Sequence, residues 1–166
     1  DEMKRQLLIV EAIVNHPTIK LVLIGNADTP YGNDLRKRVQ YLGLHDRILI
    51  KGFVSRKEKI TLYANALAVY NGAYEEDYGY VTLEGFFSSK PVITHIDSGG
   101  PLEFIIDNKN GFITEPSPSS IASVLEELTV QKAQKLGESG RQLMLDLDLN
   151  WDFIIDSLTL SEHQGF

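Results

Sequence analysis

The stretch Asn71-Gly72-Ala73-Tyr74-Glu75-Glu76-Asp77-Tyr78-Gly79-Tyr80-Val81-Thr82-Leu83-Glu84 combines an acidic loop, a glycine at a helix start and a second carboxylate inside that helix's first turns. A helix N-terminus offers unpaired N–H groups and about half a positive charge, which suits a phosphate or pyrophosphate. Gly79 permits close approach of such a group. Glu84 can accept two hydrogen bonds from a vicinal diol such as ribose, while Glu76 can reach the hydroxyls of a second sugar. The spacing fits a nucleotide-sugar laid along one strand-loop-helix corner. A ligand-free reading fits the same residues, because acidic loops are commonly solvated and a glutamate early in a helix favours the dipole unaided.

The elements that must hold this corner follow from hydrophobic periodicity. Leu7, Leu8, Val10, Ala12, Ile13 and Val14 form a helical stripe stopped by Asn15, His16 and Pro17. Residues 20–25 are an apolar run ending in glycine, the pattern of a strand buried on both faces, and residues 47–51, 66–70, 91–95 and 111–114 share its character. Between them, Asn33 or Asp34 opens a helix that buries Leu35, Val39 and Leu42 and closes at Gly43. Ser55 to Glu58 is a capping box for the next, with Ile60, Leu62 and Tyr63 turned inward. Further helices are expected at 79–89, 101–106 and 119–128.

Short strands alternating with helices predict an α/β fold with a doubly wound parallel sheet, Rossmann-like, over residues 1–129. A helical tail follows over 130–166, broken near Gly137, Gly140 and Asn150, with Trp151, Ile154, Ile155 and Leu158 on an apolar face. Ligands of such sheets sit outside the carboxyl ends of the strands. The positions to read for chemistry are therefore those after Ile24, Lys51, Tyr70 and His95.

Composition narrows the function classes. At 166 residues the chain fits one α/β domain. A net charge of −7 opposes a broad electrostatic footprint for nucleic acid or an anionic membrane face. Without cysteine there is no disulfide, thiolate zinc site or thiol nucleophile, and the chain reads as cytoplasmic. No apolar run is long enough to span a membrane.

The run Glu76-Asp77-Tyr78-Gly79-Tyr80-Val81-Thr82-Leu83-Glu84 resembles the Glu-x7-Glu motif of the family 4 retaining glycosyltransferases. Ser88-Ser89-Lys90-Pro91-Val92-Ile93-Thr94, Ser98-Gly99-Gly100-Pro101-Leu102-Glu103-Phe104-Ile105 and Gly111-Phe112-Ile113 resemble its continuation, and Leu23-Ile24-Gly25 and Ile50-Lys51-Gly52-Phe53-Val54 sit at its strand ends. The likeness runs from Lys4 to the Trp151 helix.

The resemblance implies the C-terminal, donor-binding domain of a two-domain GT-B enzyme, the acceptor domain being absent from this chain. It implies that Glu76 contacts the donor sugar, that backbone N–H groups around Gly79, Tyr80 and Val81 hold the pyrophosphate, and that Glu84 binds the ribose. Asp77 and Tyr78 share that loop, the backbone near Phe53 and Val54 frames the base, and Gly25 joins the donor-binding set. Lys4 takes the place of a phosphate-binding lysine, so Glu76 and Lys4 are the candidates for catalysis. A fixed cation and helix N–H donors stabilise a departing diphosphate as its charge develops. No cofactor or metal is then required, and no protein nucleophile is expected. The implied partners are a nucleotide sugar and a glycan or lipid-linked acceptor, with peripheral membrane association open to the full-length enzyme.

The family's partner arginine and first β-strand lie upstream of Lys4, and the strand's absence leaves an expected slot beside residues 66–70. Asp146-Leu147-Asp148 imitates the Asp-x-Asp of metal-dependent glycosyltransferases but falls in the tail, as a solvated face. His16, His45 and His163 read as surface residues; His95, at a strand's carboxyl edge, is a further site candidate. The segment Ser98-Gly99-Gly100-Pro101 is either a second anion corner or a tight turn. One of Tyr78 and Tyr80 is expected in the core. A sugar-nucleotide epimerase and a catalytically silent interaction module of the same fold are the rival readings.

Overall fold

The structure, a computed structural model, describes residues 2–147. A 3₁₀ turn (Glu2–Lys4) leads into α1 (Gln6–Ala12), extended by a second 3₁₀ turn, Ile13–Asn15. There follow β1 (Leu21–Leu23), α2 (Pro30–Tyr41), β2 (Ile48–Ile50), α3 (Arg56–Asn65), β3 (Val69–Tyr70), α4 (Tyr80–Phe87), β4 (Val92–His95), α5 (Pro101–Phe104), β5 (Gly111–Thr114), α6 (Pro118–Glu127) and α7 (Val130–Asp146). Every strand pair is parallel. The expected alternation is present.

The strands form two hydrogen-bonded groups, β1-β2 and β3-β4-β5, so β1 and β3 each pair on one side only. Successive residues of a strand point to opposite faces. On β4, Ile93 joins Phe112, Val124, Leu128 and Leu136 under α6 and the start of α7. Val92 joins Phe86, Ile105 and Met144 under α4 and the end of α7. On β1 and β2 one face packs against α1, α2 and α6 through Ile9, Val10, Ile13, Leu35, Val39, Ile48 and Ile121. The other face is open: Val22 is 41% and Leu49 53% exposed. The expectation of burial on both faces therefore fails for residues 20–25 and 47–51, because no helix among the described residues covers that side.

Local signals explain most boundaries. Helix α2 begins one turn earlier than expected, because the Thr29 hydroxyl accepts the Gly32 N–H and Pro30 supplies a preformed first turn. Ser55 caps α3 by accepting the Glu58 N–H, as expected, but the Glu58 carboxylate goes to Lys51 rather than back to the cap. No residue of α3 is fully buried; Leu62 and Tyr63 are half-buried, and Ile60 is 60% exposed instead of turned inward.

Helix α7 runs unbroken through Gly137 and Gly140. A Cβ on Gly137 would lie 2.0 Å from the Ser89 carbonyl oxygen, and one on Gly140 2.4 Å from the Phe86 ring. These glycines are contact points, which corrects their reading as helix breaks. Gly85 serves likewise, since its Cβ would meet a Val92 methyl at 2.8 Å where α4 lies on β3 and β4. Asn150, Trp151 and the second tail helix fall outside the described residues, as does Asp148 of the Asp-x-Asp pattern.

Candidate functional site

The site is assembled by the loop after β3, which is clamped on two sides. On one side the Tyr74 N–H donates to the Met3 carbonyl (2.9 Å), and Lys4 Nζ donates to Glu76 Oε1 (2.8 Å). On the other, the Glu75 and Glu76 N–H groups donate to the Asp97 and Ser98 carbonyls (3.0 and 2.9 Å), and the Gly100 N–H donates to the Glu76 carbonyl (2.7 Å). Gly99 turns at φ 74°, and a Cβ on Gly100 would lie 2.3 Å from the Asp77 carbonyl oxygen. Between anion corner and tight turn, Ser98-Gly99-Gly100-Pro101 is therefore the turn that grips Glu76.

Glu76 presents an unusual carboxylate. Its Oε1 takes the Lys4 ammonium, while its Oε2 is buried with no hydrogen-bond partner. A buried acceptor without a donor is costly, so this oxygen is poised for one. Three residues further along, Gly79 caps α4 at φ 64°, in the left-handed region that favours glycine. The Thr82 N–H turns back to the Gly79 carbonyl (2.8 Å), and the N–H groups of Tyr80 and Val81 meet no acceptor among the described residues.

Tyr78 and Tyr80 flank the cap, and neither is core: they are 68% and 65% exposed and stack on each other with centroids 5.7 Å apart. Asp77 is exposed beside them.

Glu84, on the second turn of α4, is held from α3. Its Oε1 accepts Lys59 Nζ, and its Oε2 accepts the Tyr63 hydroxyl (2.9 Å). Burial, with the neighbouring Glu84 charge, pushes the Tyr63 phenol well above its usual value, so it stays a donor. Each carboxylate oxygen retains a second lone pair.

A cavity of about 280 Å³ opens at the carboxyl ends of β1 and β2, lined among others by Lys4, Gln6, Gly25, Asn26, Tyr31 and Lys51. Gly25 ends β1 at φ 124°, and its N–H donates to the Gly52 carbonyl (3.2 Å). Phe53, just past β2, is 85% exposed, and Val54 is half-buried. Lys4 joins the two parts of the site, lining the cavity while bonding Glu76.

His95 belongs to the core instead. It is fully buried, with Nε2 2.9 Å from the Tyr70 hydroxyl and Nδ1 2.9 Å from Thr114 Oγ1. Burial and the Arg5 charge lower its basicity, holding the ring neutral near pH 7. Among the described residues there is no group of three acidic or histidine side chains arranged for a metal ion, and no helix long and apolar enough to cross a membrane.

The residues that sequence reasoning missed are Arg5, Asp97, Lys59 and Tyr63. For Arg5 a signal existed in the dipeptide Lys4-Arg5, whose two cations directly precede α1.

The chain is 27% identical over 136 residues to the alpha-1,3/1,6-mannosyltransferase ALG2 of Dictyostelium discoideum, covering 77% of this chain and 32% of that protein. It superposes with a TM-score of 0.77 and 26% identity on the C-terminal domain of the glycosyl transferase group 1 family protein LpcC from Francisella tularensis, covering 88% of this chain and 80% of that one. HepE of Anabaena, solved in complex with UDP-glucose, shares the fold at a TM-score of 0.84 and 24% identity, over 98% of this chain and 46% of its own. The chain spans about a third of the length of the mannosyltransferase it matches. The model of the family "Glycosyl transferases group 1" matches residues 1–143, and the chain belongs to that family.

Proposed function

We propose that this chain is the donor-binding part of a nucleotide-sugar-dependent retaining glycosyltransferase that moves a hexose to a glycan or lipid-linked acceptor. The observation that carries the reading is the Glu76 carboxylate, one oxygen on Lys4 and the other buried without a donor, on the loop that ends at the unsatisfied N–H groups of α4. A donor-sugar hydroxyl supplies the missing hydrogen bond to Oε2. The diphosphate lies on the Tyr80 and Val81 N–H groups, and Glu84 receives the ribose hydroxyls through its remaining lone pairs.

Lys4 then has two tasks. It spends one of its three N–H donors on Glu76 and turns the others to the departing phosphate, whose growing charge it stabilises with the helix terminus. No step in this scheme needs a protein nucleophile or a divalent ion, so a chelator is expected to leave transfer by the full-length enzyme unchanged. The name of the Anabaena neighbour's ligand and of the Dictyostelium relative's sugar support a nucleotide hexose as donor class.

Calorimetric titration of the full-length protein with UDP-, GDP- and ADP-sugars tests the reading. Saturable binding of one base class is expected. Absence of binding by all three would leave the silent interaction module as the better account.

A further inference from the structure

Arg5 occupies a backbone conformation that L-residues avoid, φ 48° and ψ 38°, directly after Lys4 and directly before α1. Its guanidinium spans two segments distant in sequence. Nε donates to the Gly72 carbonyl (2.7 Å) and Nη2 to the Ala73 carbonyl (3.0 Å), at the root of the Glu76 loop. Nη1 and Nη2 also form a two-pronged pair with the Asp97 carboxylate (2.9 and 2.8 Å). Asp97 in turn accepts the Glu75 N–H on its carbonyl and starts the turn that grips Glu76. The Arg5 carbonyl accepts the Tyr70 hydroxyl (3.3 Å) at the end of β3. Arg5 is the N-cap residue of α1, but its side chain makes no capping hydrogen bond.

We infer that Arg5 is a positioning residue, which with Asp97 sets the Glu76 carboxylate against Lys4 and so lets the site read the donor sugar. This rests on the sugar-reading role proposed for Glu76. Three chain segments must meet for Lys4 and Glu76 to face each other: the N-terminal turn, the loop after β3 and the loop after β4. Arg5 belongs to the first and its side chain bonds the other two, and its planar fork matches the carboxylate and the two carbonyls in a way an ammonium does not. The hydrogen bonds from Arg5 also hold the Asp97 carboxyl below the usual carboxylate range.

The test compares UDP-glucose with UDP, and GDP-mannose with GDP, on the full-length protein and on Arg5→Gly, Asp97→Asn and Glu76→Ala. The readout is the ratio of the two dissociation constants, which a loss of folded protein leaves unmoved. Arg5→Gly suits the positive φ and removes only the fork. In Arg5→Gly the nucleotide sugar is expected to lose about tenfold more affinity than the bare diphosphate, Asp97→Asn shifting the ratio the same way and Glu76→Ala at least as far. If Glu76→Ala moves the ratio while Arg5→Gly and Asp97→Asn lower both affinities equally or neither, the positioning role is overturned and the proposed function stands. If Glu76→Ala leaves the ratio unmoved, the sugar-reading role falls and this inference with it. Should Arg5→Gly fail to fold, Asp97→Asn decides alone.

Discussion

Glu84 enters the binding problem with both carboxylate oxygens engaged, one by Lys59 and one by the Tyr63 hydroxyl. That engagement fixes its orientation before ribose arrives, and removing the carboxylate strands a phenol and an ammonium as well. Glu84→Ala is expected to weaken nucleoside diphosphate binding by about 1–3 kcal/mol in a calorimetric titration, the scale for losing charge-assisted hydrogen bonds. Unchanged affinity would remove Glu84 from the site. His95 makes a separate prediction about pH. Its ring is buried neutral, so its folded pKa lies below 6.5 and the unfolded chain binds the extra proton first on acidification. Stability contributed by the neutral ring is complete above that value and declines as pH falls below it. Urea midpoints measured between about pH 7.5 and about pH 5.5 should fall on acidification, and His95→Asn should flatten the slope whatever it does to the midpoint itself. At the residue scale the sequence spoke where a role depends on local pattern: Gly79, with its left-handed turn at a helix start, was legible. Arg5 showed only as a second cation beside Lys4, and its role did not, because its partner Asp97 lies 92 positions away and no spacing rule connects them.

Helix α7 shows what periodicity can and cannot say about an element. Its start was readable within a residue, since the Thr129 hydroxyl accepts the Lys132 N–H as an N-cap should. Its continuity was not, because glycine inside a helix signals either a weak point or a close approach, and only the neighbour decides. Here the neighbours are the Ser89 carbonyl at Gly137 and the Phe86 ring at Gly140. Gly137→Ala gains about 1 kcal/mol of helix propensity but drives a methyl into a backbone oxygen, and overpacking of that kind costs about 1–3 kcal/mol. A fall in melting temperature is expected; a rise would mean that α7 can slide on α4 without loss. Helix α2 carries the opposite lesson. Thr29-Pro30 is a capping signal in the sequence, yet the apolar face beginning at Leu35 drew the expected start toward Asn33. Helix α3 was legible, and of the three residues expected inward Leu62 and Tyr63 are half-buried, Tyr63 bonding Glu84 on α4, while Ile60 faces outward.

For the whole molecule the decisive feature is the division of its parallel strands into two groups. Alternate amides of a strand point to opposite sides in the plane of the sheet. On β1 the amides of Leu21 and Gly25 donate toward β2, which leaves those of Val22 and Ile24 directed at the unpaired side. On β3 the amides of Val69 and Asn71 donate to β4, which leaves that of Tyr70 directed the other way. Short unbroken apolar runs predict every strand but say nothing about which strands touch, and the slot beside residues 66–70 is an expectation from the family's strand order alone. An extended strand laid in this slot, as the family's strand order leads one to expect, would pair with both edges and shield Val22, now 41% exposed. Hydrogen exchange checks it amide by amide. In this chain the Val22, Ile24 and Tyr70 amides should exchange far faster than those of β4, which is paired on both sides. In a form extended upstream the same three should slow together, because a single inserted strand protects both edges at once. Slow exchange at all three in this chain would mean that the two groups of strands already close on each other, and uncorrelated protection in the longer form would reject a shared strand.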